Sequence, residues 1–117
     1  MTTTWSREDK TIVVQVSGVL TKAEFDICQS EIEPIIQEGQ IAILVLVTDF
    51  QGWGGDADEW ADLSFQERND PYIRKIAIVG DEKWHDLAIM FAGQGLRRFP
   101  IEYFKSGREE FARAWLE

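Results

Sequence analysis

The sequence predicts a single α/β domain over residues 1–117, with a mostly parallel sheet of four to five strands, one antiparallel edge strand and four main helices. Strand-like apolar segments alternate with amphipathic helix-like segments, which is typical of parallel strands joined by right-handed crossovers. A length of 117 residues suits one domain. The 44% apolar share is sufficient for a packed core.

The chain begins with a predicted hairpin. Thr11–Ser17 is rich in β-branched residues and ends at Gly18, which indicates a strand closed by a turn. Residues 4–7 can pair back on this strand through a short loop at 8–10. The sheet should therefore have one antiparallel edge.

A helix and a buried strand follow. Thr21 and Glu24 have the spacing of a capping box, and apolar residues then recur at helical intervals up to Gly39. Pro34 lies inside this helix and lacks a backbone donor, so we expect a kink or a restart just before it. The seven consecutive apolar residues 41–47 predict a central parallel strand covered on both faces.

The middle of the chain predicts a loop, a second helix and another strand. The glycine-rich segment 52–55 is expected to be a flexible surface turn, because it lacks the lysine and the spacing of phosphate-binding loops. A helix should follow and end at residues 69–71, where a proline occurs. Residues 73–79 form an apolar strand, and Asp81 is well placed to cap a third helix.

The last part of the chain predicts an edge strand between two helices. Apolar residues between Trp84 and Phe91 share one stripe of the third helix. Residues 98–104 form the last strand, and Pro100 within it favours a sheet edge. Ser106 and Glu109 have the spacing of a second capping box, which should open the C-terminal helix.

Composition excludes several classes of function. The formal charge of -9 and the scattered Lys and Arg argue against a nucleic-acid partner, because phosphate backbones need a concentrated positive face. No apolar run approaches the length of a membrane span, and the N-terminus lacks the features of a signal peptide. Cys28 is the only cysteine, which suits a reducing compartment and a role in core packing. We expect a cytoplasmic protein.

Two sequence blocks resemble a known family. Lys75–Trp84 (KIAIVGDEKW) and Phe111–Leu116 (FARAWL) occur together with a helix after a Gly-ending strand and with an acidic residue after the central strand. On these features the whole chain resembles a SpoIIAA-like protein of the STAS superfamily. The resemblance implies a small mixed sheet whose winding is shared with lipid-binding CRAL-TRIO domains, and it implies little about activity.

One departure from the superfamily bears on mechanism. Its regulatory members carry a phosphorylatable Ser after an Asp in the loop that follows the central strand. Here Phe50 follows Asp49, and the nearest hydroxyl belongs to Thr48, before that Asp. Phosphorylation-controlled binding of an anti-sigma factor is therefore not expected.

Polar candidates collect beyond the carboxyl ends of the strands, where open parallel sheets usually bind ligands. Asp49 and Asp81 could together hold a divalent cation, but helix capping suffices to explain Asp81, and two carboxylates without a third ligand are a weak signal. His85 could act as a general base, but a lone His near a helix start is more often a solvent-facing or structural residue. No nucleophilic set is recognisable, so we expect a protein that is not an enzyme, with no cofactor and no bound metal.

Two functional hypotheses remain. In the first, the chain is an interaction module, expected to be a homodimer, in which Trp53 and Trp60 belong to an exposed contact patch. In the second, it carries a small apolar ligand in a pocket between helices and sheet. The pocket would be lined by Trp53, Trp60, Trp84 and Phe91, with Asp49 or His85 orienting a polar end. Ordinary core packing competes with both hypotheses for these aromatic side chains.

Overall fold

Five strands form one mixed sheet in the order β1-β2-β3-β4-β5 in the computed structural model, which describes residues 3–55, 64–92 and 99–117. The strands are β1 (Thr3–Glu8), β2 (Thr11–Leu20), β3 (Ile41–Trp53), β4 (Ile73–Gly80) and β5 (Ile101–Lys105). The described helices are α1 (Lys22–Ile36), α2 (Ser64–Asn69), α3 (His85–Ala92) and α4 (Glu109–Leu116). The predicted α/β fold class is confirmed.

The predicted N-terminal hairpin is confirmed. β1 pairs antiparallel with β2, from Thr3 opposite Val16 to Glu8 opposite Thr11. The turn includes Asp9 at a φ of 57°, a left-handed conformation that Asp tolerates better than most residues. The other neighbouring strand pairs are parallel.

β2 and β3 run further than the sequence predicts. The register shifts around Gly18, which has a φ of 65°, and the pairing then continues until Leu20 lies opposite Trp53. Asp49, at a φ of 50°, lies within the same irregular stretch of β3. The predicted flexible turn is therefore wrong for Gly52 and Trp53, which belong to a paired strand.

α1 is one helix from Lys22 to Ile36. At its start, the Thr21 hydroxyl accepts a hydrogen bond from the Glu24 backbone N–H at 3.3 Å, as the capping-box spacing predicts. The helix continues through Pro34 and ends two residues later. Of the two predicted alternatives, a kink or a restart, the restart is therefore wrong. Pro34 lies in the last turn of α1, so few helical residues follow it and the helix ends without a new start.

The predicted capping box at Ser106 and Glu109, unlike the one at Thr21, is wrong. The Ser106 N–H donates to the Gly80 carbonyl at 2.8 Å, so Ser106 still continues the pairing of β5 with β4. α4 begins at Glu109, after an N-cap residue, Arg108, that makes no capping side-chain hydrogen bond. The Glu109 carboxylate instead accepts from Arg113 Nε at 2.8 Å, one turn along the helix.

The remaining boundaries are close to prediction. α2 ends at Asn69 as expected, while the predicted earlier part of that helix lies outside the described residues. β5 begins at Ile101, three residues later than predicted, and lies at the sheet edge that Pro100 favoured. The Asp81 carboxylate caps the turn that precedes α3 by accepting from the Lys83 N–H at 3.0 Å.

The two faces of the sheet are covered differently. One face packs against α4 through a small cluster that includes Val13, Leu44 and Ala77. The other face carries the larger cluster, against which side chains such as Phe25 of α1, Phe65 of α2 and Ile89 of α3 pack. Three short or medium helices thus cover the second face, and this is where the candidate site lies.

Asn69 joins two of these helices. Its fully buried side-chain N–H₂ donates to Glu33 Oε2 of α1 at 2.7 Å and to the Phe65 carbonyl at 3.0 Å. The bonds from Asn69 and from Arg68, at 3.0 Å, lower the pKa of Glu33. Their stabilising effect is therefore present at neutral pH and lost as pH falls through that lowered pKa.

We expect Asn69→Ala to lower the free energy of unfolding by about 1–3 kcal/mol, because it removes two part-buried hydrogen bonds donated by a buried side chain. Arg68→Ala is the matched control, since it removes an exposed partner of the same Glu33 carboxylate and should cost less than about 1 kcal/mol. Urea denaturation at pH 7 measures both. Equal small losses would show that Asn69 does not hold α1 and α2 together.

Candidate ligand-binding cavity

A cavity of about 170 Å³ lies between the sheet and helices α1, α2 and α3. Strand residues form its floor: Val14, Val16, Ile43, Val45, Val47, Ile73, Ile76 and Ile78. Helix residues form most of its roof: Phe25, Cys28, Gln29, Ile32, Phe65, Gln66 and Ala88. The wall is therefore almost entirely hydrocarbon and aromatic carbon.

The period of a β-strand explains this floor. Successive side chains of a strand point to opposite faces, so every second residue reaches the same face. Ile43 and Val45 of β3 line the cavity, whereas Leu44 between them packs under α4. The consecutive apolar residues of the central strands thus supply the core on one face and the cavity floor on the other.

Three aromatic rings close one end of the cavity. Phe50 lies edge-on to Trp53 and to Trp84, with ring centroids 4.9 Å apart in each pair. The two indoles are 6.0 Å apart, again edge-on. Trp53 is half-buried because β3 carries it into the sheet, and Gly52 beside it has a φ of 112°, a backbone conformation that favours glycine.

The polar groups in the wall are uncharged at neutral pH. Thr3, Gln29 and Gln66 contribute a hydroxyl and two amides. Burial, followed by the nearby Glu31 carboxylate, raises the pKa of Cys28 to about 11, and burial also raises the pKa of Tyr103. The Tyr103 hydroxyl donates to the Asp81 carbonyl at 2.7 Å, which fixes the ring at the cavity wall.

The other predicted site residues lie elsewhere. Asp49 and Asp81 are exposed and line a neighbouring polar cleft of about 960 Å³, which shares Val47, Phe50 and Trp84 with the cavity wall. His85 is exposed, with Nδ1 at 3.0 Å from the Asp86 carboxylate. Neither Asp49 nor His85 lines the cavity, so the predicted role of either in orienting a ligand there is not supported. Trp60 lies outside the described residues.

Comparison with known proteins places this geometry in a family. The family model described as SpoIIAA-like matches residues 11–117. The chain belongs to the SpoIIAA-like family. A similar solved structure is that of an uncharacterized protein of the DUF3478 family, with a SpoIIAA-like fold, from Shewanella loihica PV-4. The TM-score is 0.71 at 19% identity, over 98% of this chain and 92% of that one, and this likeness shows the fold alone. No curated protein matches.

Neither a metal-binding cluster nor a membrane-spanning helix is found in the described part of this SpoIIAA-like chain. Among residues 3–55, 64–92 and 99–117, no three His, Cys, Asp or Glu side chains are grouped so as to hold a metal ion. Within the same ranges, no helix has the length and apolar character that crossing a membrane requires.

Several cavity residues were missed by sequence reasoning. The sequence pattern predicts a core-packing role for Cys28, and it singles out no role for Gln29. Gln29 nevertheless follows Phe25 by four residues and precedes Ile32 by three, so helical spacing puts it on the same face. Thr3 and Gln66 carry no comparable signal, since each belongs to a short element whose placement depends on the tertiary fold.

The thiol of Cys28 is expected to react slowly in the folded SpoIIAA-like protein. A pKa raised from 9.0 to about 11 reduces the thiolate fraction at pH 7.5 about hundredfold, and only the thiolate is nucleophilic. The rate of modification by methyl methanethiosulfonate should rise about tenfold per pH unit up to about pH 11. In urea-unfolded protein it should level off above pH 9. Equal rates in folded and unfolded protein would contradict this.

Proposed function

We propose that this SpoIIAA-like protein is a non-enzymatic carrier or sensor of a small apolar ligand, bound in the cavity between the sheet and helices α1–α3. The observation that supports this is the size and lining of the cavity. Protein interiors are usually close-packed, so a cavity of about 170 Å³ lined by hydrocarbon is a feature that ordinary core packing does not require. An apolar occupant would remove this lining from contact with water.

The size of the ligand can be estimated from a cavity of similar volume in another protein. An engineered dry cavity of about 150 Å³, lined by similar side chains, binds benzene. A cavity of 170 Å³ therefore accommodates a molecule of roughly six to eight non-hydrogen atoms. The described wall has no carboxylate, amine or imidazole, which supports binding without catalysis.

Tryptophan fluorescence and native mass spectrometry test this proposal. Freshly purified protein should retain an extra mass that is lost on denaturation, and titration with 1-pentanol should change the emission in a saturable way. Trp84→Phe should reduce the emission change, whereas Trp115→Phe, on the α4 side of the sheet, should preserve it. The proposal would be overturned if the protein retained no extra mass and its emission showed no saturable change.

An interaction module is the second candidate, supported by an exposed apolar surface on α3. Met90 is 75% exposed and Leu87 is 49% exposed, three residues apart on the outside of the helix whose Ala88 lines the cavity. Trp53, by contrast, lies in the cavity wall. We propose a homodimer through this α3 surface, in a cytoplasmic protein. Sedimentation at decreasing concentrations tests it, with Met90→Lys expected to favour the monomer.

A further inference from the structure

We infer that the occupant of the cavity is an uncharged molecule with one hydrogen-bonding group, such as a short-chain alcohol, ketone or primary amide, and not a carboxylate or an amine. This inference rests on the proposed function and specifies its ligand class. It follows from the charges and hydrogen-bonding groups that line the cavity.

The part of the wall that the structure describes disfavours a charged ligand. The cavity-lining side chains include no Asp, Glu, Lys, Arg or His among the described residues. A buried ion without a partner costs several kcal/mol or more, and a small ligand has little apolar surface with which to offset that cost. A ligand that ionises would therefore be bound in its neutral form.

Charges behind the wall do not alter this conclusion. The negative charges of Glu31 and Asp81 contribute to the raised pKa values of Cys28 and Tyr103, respectively. These two carboxylates would also repel an anionic ligand. Lys83 Nζ lies 5.7 Å from the centre of the Trp84 ring, but this lysine is exposed and does not line the cavity. The net charge of -9 also disfavours the approach of an anion from solvent.

Neutral groups of the wall, Thr3, Gln29 and Gln66 among them, can meet a polar atom of the ligand. Thr3 is 4% exposed, and its hydroxyl has no hydrogen-bond partner among the described residues. A buried hydroxyl left unpaired costs about 1–3 kcal/mol, so a ligand that pairs with it gains affinity. The Thr3 hydroxyl itself is covered, so meeting a ligand requires rotation about χ1, which moves the hydroxyl between staggered positions. Gln29 and Gln66 add amides on the helix side of the wall.

Matched probes test the neutral class. We expect 1-pentanol to bind with a Kd that is constant between pH 6 and 8. The apparent Kd of pentanoic acid should rise about tenfold per pH unit over the same range, because only the protonated form binds and its fraction falls as the pH rises. A pH-independent Kd for the acid, close to that of the alcohol, would overturn the inference and leave the carrier function standing. If none of the probes bound, n-hexane included, both the inference about the ligand class and the carrier function would be overturned.

The hydrogen bond is tested by a pair of isosteric substitutions. Thr3→Val removes the buried hydroxyl, and Thr4→Val makes the same change at the next, exposed residue of β1. The ratio of the Kd for n-hexane to that for 1-pentanol should fall about 2- to 10-fold in Thr3→Val and stay unchanged in Thr4→Val. An unchanged ratio in both variants would show that Thr3 does not receive the polar group. Both variants should fold, since valine suits a strand.

Discussion

Gly80→Ala is expected to lower the free energy of unfolding by about 2–4 kcal/mol. A Cβ at this position would lie 2.7 Å from the Tyr103 hydroxyl and 3.1 Å from Val47 Cβ. The tyrosine cannot retreat freely, because its hydroxyl donates to the Asp81 carbonyl at 2.7 Å. The methyl group therefore either displaces the ring and breaks that bond or pushes β4 away from β3.

A double-mutant cycle identifies the cause of the loss. Tyr103→Phe removes the atom that the new methyl would meet first and leaves the ring, whose Cζ would be 3.5 Å from the Cβ, in ordinary contact. The double variant should therefore be less destabilised than the sum of the two single variants, by at least about 1 kcal/mol. Urea denaturation of all four proteins gives the coupling. Additive losses would place the strain at Val47 instead of at the tyrosine.

The strands and helices of this fold were largely predictable, because local patterns set them. The β-branched run before Gly18, the apolar run 41–47 and the helical spacing after Thr21 each correspond to an observed element. Errors occurred where tertiary pairing overrides local signals. Glycines around Trp53 indicate a loop, yet pairing with the end of β2 keeps this segment in a strand.

The site was predictable only in part. Trp53 and Trp84 were expected to line a pocket between helices and sheet, and both do. The polar end was assigned to Asp49 or His85 because they follow strand ends, where ligands often bind in open sheets. The cavity lies under the helices, along the face of the sheet. A position beneath a helix depends on side-chain packing that no local motif records.

Ala88→Leu is expected to weaken the binding of 1-pentanol by at least about tenfold. Ala88 lines the cavity from α3, so the three added carbon atoms occupy part of the 170 Å³ that the ligand would fill. Losing that contact removes apolar burial of about 0.8 kcal/mol per excluded methylene, and two such groups suffice for a tenfold change. The affinity is measured by tryptophan emission at constant pH.

Stability separates filling of the cavity from damage to the fold. A side chain that fills an existing void adds apolar contacts, so Ala88→Leu should raise the free energy of unfolding by about 1 kcal/mol while it weakens binding. Ala23→Leu makes the same change at an exposed position of α1 and should leave the affinity unchanged. Weaker binding together with lower stability would indicate a distorted core. Unchanged affinity in Ala88→Leu would show that the probe binds elsewhere, because a cavity of this size cannot hold both the new side chain and the ligand.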